Sequence, residues 1–190
     1  MTAASRPVPL LFAQGAGDMH HPEGSIHLVR YLERELRGAC EIRAPEMPDA
    51  ETNPQYRPWR DRILEELAAI DDEVLFVGHS LGGSVLLKML AEVELAARVR
   101  GLFLASVPWW GPEGWDHGPW AVPADVATKL RGVPAFLYHS VDDPEVPVDH
   151  LARYAAILPD ATVRRIPGAQ HSFLEGVPEL VTDIRATLDT

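Results

Sequence analysis

The chain has 190 residues, 46% of them hydrophobic and 24% charged, the balance of a globular domain. That length suits one buried core better than two, and no composition shift marks a boundary, so a single domain spanning residues 1–190 is expected. A formal net charge of −11, with no basic block longer than Arg164-Arg165, argues against nucleic acid or an anionic membrane surface as partner. The one cysteine, Cys40, excludes an internal disulfide and a cysteine-built zinc cage.

In chain order, the opening stretch MTAASRPVPLLFAQGAG has one early arginine and too short an apolar run for a secretory leader. No run reaches the length of a membrane span, and the expected location is the cytoplasm. VPLLFA (8–13) is the first continuous apolar run, the pattern of a strand covered on both faces. Leu28, Leu32 and Leu36, with Tyr31 beside them, then repeat at helical spacing. CEIRA (40–44) is a weaker strand, and Trp59, Ile63, Leu67 and Ile70 make a second helical face. EVLFV (73–77) is another buried strand, followed after a glycine-rich turn by the stripe Val85, Leu86, Met89, Leu90 and Val93. Strands at GLFLASV (101–107) and PAFLYHS (134–140) come next, then a helix through Leu151, Tyr154, Ala155 and Leu158. TVRRIP (162–167) and a helix through Val177, Leu180, Val181, Ile184 and Leu188 close the chain. Regular alternation of strand and helix implies a mostly parallel sheet with helices on both faces. Residues 108–123 interrupt it, holding Trp109, Trp110, Trp115 and Trp120 among glycines and prolines. Two readings stand for this segment: a surface loop pinned by its aromatics, or a lid over the strand ends, where open α/β sheets bind ligands.

The chemistry concentrates at VGHSLGG (77–83), where Ser80 stands between Gly78 and Gly82 as a strand becomes a helix. This is a G-x-S-x-G nucleophile elbow in the strand–turn–helix context that gives the motif meaning. The expectation is that side chains two positions before and after the serine would collide, and that Gly83 brings the helix close to the sheet. A serine hydroxyl needs a base to take its proton and an acid to orient that base. His171, in PGAQHSF, is the candidate base, and Asp142 and Asp143, after the strand at 134–140, compete for the acid. The oxyanion of such a reaction needs two N–H donors. Leu81, just after the serine, is the first; Ala16, or failing it Gly15, in the turn after the first strand is the second. Trp109 and Trp110, following the strand at 101–107, and Gly15 are candidate substrate contacts. No cofactor is expected: Gly15 and Gly17 do not continue into a dinucleotide fingerprint, since position 20 is His20. No metal is expected either, because His20, His21, His27 and Asp18 lack ligand spacing; His20 or His21 could border a pocket mouth. His79 and His139 read as packed histidines of the sheet.

FAQGAG, PEMPDAETNPQYRPW, VLFVGHSLGGSVLLKMLAE, HSVDDPEVP and PGAQHSF together resemble the α/β-hydrolase superfamily, over essentially the whole chain. More narrowly they are similar to its small serine hydrolases of the retinoblastoma-binding type. The resemblance implies a three-layer fold with a six-stranded sheet in the order 2-1-3-4-5-6, a minimal lid and no N-terminal antiparallel hairpin. Its D-x-x-V-P pattern selects Asp143, three residues before Val146, and leaves Asp142 to hold the turn. Gln14 departs from the histidine that many members carry there. The implied function is a carboxylesterase-like hydrolase acting on a small ester, thioester or amide through an acyl-enzyme on Ser80. The competing expectation is a hydrolase-fold module that binds a ligand or protein with little turnover.

Overall fold

The computed structural model of the chain describes residues 6–95, 98–116 and 118–190. Its order is β1 (Val8–Ala13), α1 (Ile26–Glu35), β2 (Cys40–Arg43), α2 (Tyr56–Ala68), β3 (Val74–His79), α3 (Leu81–Glu92), β4 (Val99–Ala105), α4 (Val126–Lys129), β5 (Ala135–Ser140), α5 (Asp149–Ile157), β6 (Thr162–Ile166) and α6 (Pro178–Leu188). The six strands form one sheet in the order β2-β1-β3-β4-β5-β6, and every neighbouring pair is parallel. The expected strand order holds. The short α4 was not anticipated. The strand expected at 101–107 instead spans Val99–Ala105, because Ser106 turns to φ 48 and leaves the ladder.

Period-two alternation divides the core into two layers. Leu11, Phe76, Leu102 and Leu104 face a cluster with α2, α3, α4 and α5, centred on Trp59, Ile63, Leu86 and Tyr154. Leu10, Phe12, Leu75 and Phe103 face the other way, against Leu28 and Leu32 of α1 and Leu180 and Ile184 of α6. Burial on both faces explains why β1 and β3 read as unbroken apolar runs. Among the described residues no helix is long and apolar enough to cross a membrane.

Parallel pairing brings the strand ends to one edge. Ala13 pairs with Gly78, and His79 with Ala105, so the turn after β1 lies beside the turn after β3. The glycines let backbones approach closely. A Cβ on Gly82 would stand 2.2 Å from the Ala13 carbonyl oxygen and 2.4 Å from that of Gln14. One on Gly78 would stand 2.5 Å from Gly83 Cα, so each glycine permits a close approach between backbones. Glycine in a helix costs roughly 1 kcal/mol relative to alanine. Here the packing of an almost wholly buried α3 outweighs that cost.

Gly82→Ala is expected to lower stability by about 3 kcal/mol or more, because the clashing atoms are backbone and cannot swing away. Val163→Ala, at a side chain 40% exposed on β6, should change it by less than about 0.5 kcal/mol. Urea unfolding of the two variants beside the parent chain makes the comparison.

Candidate active site

Ser80 is the N-cap of α3, with φ 50 and ψ −123, a conformation that costs a non-glycine residue about 1–3 kcal/mol. Two hydrogen bonds hold it there: its N–H donates to Ala105 O at 2.8 Å, and its carbonyl accepts from Gly83 N at 3.0 Å. The turn keeps Ser80 largely buried, 9% exposed, in the lining of a cavity of about 580 Å³. As the first helical residue, Leu81 presents an N–H that has no partner within the helix.

His171 lines the same cavity and is held from behind by Asp143. Their Nδ1···Oδ2 distance is 2.8 Å, and the Asp143 side chain is fully buried. The other carboxylate oxygen, Oδ1, accepts the N–H groups of Glu145 and Val146, both at 2.9 Å. Burial alone would raise the Asp143 pKa. The hydrogen bonds from His171 and the Val146 amide outweigh it and hold the carboxyl well below its usual range. Asp142 points elsewhere, its Oδ1 accepting from Ser140 Oγ at 2.6 Å and from Gly168 N at 2.9 Å. It ties the turn after β5 to the turn after β6. His139 is buried as expected, donating from Nε2 to Val146 O at 2.8 Å, with Asp143 Oδ2 at 3.6 Å.

The turn after β1 completes the cavity with Gly15, Ala16 and Gly17. Gln14 pins it: its Oε1 accepts Met47 N–H at 3.2 Å, and its Nε2 donates to Gly17 O at 3.1 Å. Gly15 N–H donates to Ser25 Oγ at 2.9 Å, and Gly17 N–H to Ala50 O at 2.8 Å. Ser25 in turn meets His79 Nδ1 at 2.8 Å, and His79 Nε2 meets His171 O at 2.9 Å. A carbonyl only accepts, so His79 carries its proton on Nε2 and at Nδ1 accepts the hydrogen bond donated by the Ser25 hydroxyl. One directional chain thus joins the β1 turn to the backbone of His171. Burial, with a smaller push from His171, drives the His79 pKa down to about 3, so the link stays neutral.

The aromatic segment divides. Trp110 lines the cavity, its Nε1 donating to Ser84 Oγ at 2.8 Å. Trp109 does not line it. Its ring packs edge-on against Tyr154 at 5.2 Å while its backbone N–H donates to His150 Nδ1, which turns the indole away. Trp115 and Trp120 line the cavity instead. Trp120 also packs against Trp59 and Tyr56, with ring centroids 6.1 and 6.4 Å away, and the Lys88 ammonium donates to Pro119 O. The segment is therefore a wall tied to the core. His21 borders the cavity, while His20 pairs at the surface with Glu46.

Sequence reasoning missed Ser25, whose place before α1 reads as an ordinary helix cap although its side chain makes no cap bond. It also missed Glu145, whose Oε2 lies 3.8 Å from His171 Nε2. No local signal marks either contact, since both partners lie far away along the chain or across a turn.

Residues 20–175 match the family model described as serine hydrolase. The chain belongs to the serine hydrolase family, within the α/β-hydrolase superfamily. The match is to the family as a whole and does not single out the retinoblastoma-binding type. Among solved structures, the ydeN gene product from B. subtilis matches with TM-score 0.73 at 18% identity, covering 98% of this chain and 100% of that one. The 2-hydroxy-6-oxo-6-phenylhexa-2,4-dienoate hydrolase from Rhodococcus sp. strain RHA1 matches with TM-score 0.73 at 14% identity, over 97% of this chain and 91% of that one. A structure from a study of carboxylesterases of Nitrososphaera gargenis matches with TM-score 0.69 at 15% identity, over 98% and 90%. At such identities the likeness is one of fold. No curated protein matches the sequence.

Burial lowers the pKa of His79, His139 and His150 from the usual 6.5. Between pH 6.5 and 4 the unfolded chain binds protons that the folded chain refuses, so stability falls as pH falls. His79 contributes about 1.4 kcal/mol per pH unit once the unfolded histidine is fully protonated. The stability–pH slope of His79→Gln between pH 6 and 4 should be shallower by about that amount; an unchanged slope would contradict a neutral His79.

Proposed function

We propose that this serine hydrolase cleaves the ester bond of a small substrate through Ser80, His171 and Asp143, by way of an acyl-enzyme. The reading is carried by one observation: a fully buried carboxylate, Asp143, held 2.8 Å from the ring of a histidine that shares a cavity with a strained serine. Burying a carboxylate is costly unless it is paired. A module that only binds a ligand has no use for that arrangement, and this favours turnover over the binding alternative. In the proposed reaction Ser80 Oγ attacks the carbonyl as His171 takes its proton. Asp143 keeps the Nδ1 proton in place and stabilises the imidazolium. Leu81 N–H is one oxyanion donor. Gly15 and Gly17 spend their N–H groups on Ser25 and Ala50, which favours Ala16 as the second donor. Gly15 and Trp110 form part of the substrate wall together with Trp115 and Trp120. Water then releases the acid by the reverse proton path.

The proposal includes a single domain over residues 1–190, supported by one sheet with a continuous core on each face. It also includes a carboxylesterase-like preference, and a cytoplasmic location with which the lone Cys40 thiol agrees.

A fluorophosphonate probe should label the parent chain and fail to label Ser80→Ala. With p-nitrophenyl esters, Asp143→Asn should lower kcat by about 10³–10⁴, while Asp142→Asn retains most of it. Absence of labelling in the folded parent chain, or the reverse order of the two aspartate variants, would overturn the assignment.

A further inference from the structure

Two cavities meet at His171. The one holding Ser80 and a second, also of about 580 Å³, share only Glu23, Glu145 and His171. The second runs past the imidazole between the turn after β5 and the connection from β6 to α6. Its apolar surface comes from Pro144, Ile166, Pro167, Ala169, Leu174 and Pro178. Its charged groups besides His171 are Glu23, Glu145, Glu175 and Glu179, with no lysine or arginine among the described lining residues.

An apolar side chain stands exposed here. Leu174 is 49% exposed, whereas the adjacent Phe173 is fully buried. Gln170 and Phe173 both adopt left-handed backbone, φ 51 and 48, on either side of His171 and Ser172. That conformation is unfavourable for both residues. It turns Phe173 inward against His79, ring centroids 6.0 Å apart, and leaves Leu174 at the wall of the second cavity.

We propose that this second cavity is the leaving-group subsite, which receives an extended apolar alcohol moiety that is neutral or cationic and rejects an anionic one. The inference rests on the Ser80–His171–Asp143 reading. His171 uses Nδ1 to hold Asp143, so Nε2 is the atom that hands a proton to the departing oxygen. The departing oxygen must therefore lie beside Nε2. Glu145 Oε2, 3.8 Å from that nitrogen, belongs to both cavities and marks the junction. With the acyl group in the tryptophan-walled cavity over Ser80, the alcohol continues past the ring into the other. The bonds balance: the Ser80 Oγ–acyl bond forms and the acyl–oxygen bond of the ester breaks. The proton taken from Ser80 leaves from Nε2 with the alcohol. Water then supplies the hydroxyl of the acid product and restores the serine proton. Four carboxylates line this cavity with no lysine or arginine among its described lining residues, and although Arg164 lies within electrostatic range of Glu179, the excess of negative charge repels an anionic alcohol.

The test keeps the acyl group constant and varies the alcohol, using ethyl acetate, benzyl acetate and benzyl acetates carrying a ring carboxylate or a ring trimethylammonium. In the parent chain kcat/KM should be about tenfold higher for benzyl than for ethyl acetate, and at least tenfold lower for the carboxylate than for the trimethylammonium ester. Leu174→Asp should collapse the benzyl-to-ethyl ratio toward one, and Glu175→Lys combined with Glu179→Lys should reverse the order of the charged esters. Thermal melts establish that the variants fold, and Leu174→Ala gives a milder step in the same direction. Ratios unmoved by these substitutions, or equal kcat/KM for the carboxylate and trimethylammonium esters in the parent chain, would overturn the subsite. That failure is distinct from failure of the functional reading, in which no acyl group would be trapped on Ser80 from any ester.

Discussion

The site depends on how closely α3 approaches the ends of β1 and β3. At Gly82 the helix backbone comes within a distance that a methyl group would violate against two carbonyl oxygens, and at Gly78 the strand meets Gly83. That contact fixes where α3 starts, and so fixes Ser80 at a left-handed turn between a strand and a helix. The strain is small beside the burial of β3 and α3, whose side chains lie almost wholly inside. A burial of that extent, at roughly 25 cal/mol per Å² of apolar surface, exceeds the 1–3 kcal/mol of one strained residue many times over. The core can therefore hold the serine in a conformation that an isolated turn would relax.

Around this fixed point the polar groups form two separate systems. Asp143, His139 and the amides after β5 secure one side of His171 by its ring. Gly15, Ser25 and His79 reach its backbone from the other side of the sheet edge. Each buried donor in the second chain meets an acceptor, which is what makes a polar path through this part of the core tolerable. The first system sets the tautomer of His171; the second sets its position relative to the turn after β1.

Much of this was legible in the sequence, for identifiable reasons. Strands buried on both faces declare themselves as apolar runs, as VPLLFA and EVLFV did, and G-x-S-x-G announces the turn that follows one of them. The order of Ser80, Asp143 and His171, each placed after a strand, follows from parallel strands ending at a common edge. Trp109 parts from Trp110 because neighbouring residues after a strand share no facing rule once the ladder ends. The hydrogen bond from its backbone to His150, on a helix 41 positions away, decided its direction. Ser25 was invisible for the same kind of reason: its partner His79 is 54 positions away.

The sequence by itself determined the alternation of strand and helix, the parallel sheet, and which serine stands at the elbow, because periodicity and glycine spacing are local properties. Tertiary structure alone decided which tryptophans wall the cavity, that Ser25 and His79 tie the β1 turn to the backbone of His171, and that a second cavity opens beyond the imidazole. Those outcomes depend on contacts between elements far apart along the chain, and no local pattern encodes the direction in which a side chain turns once it leaves a regular element.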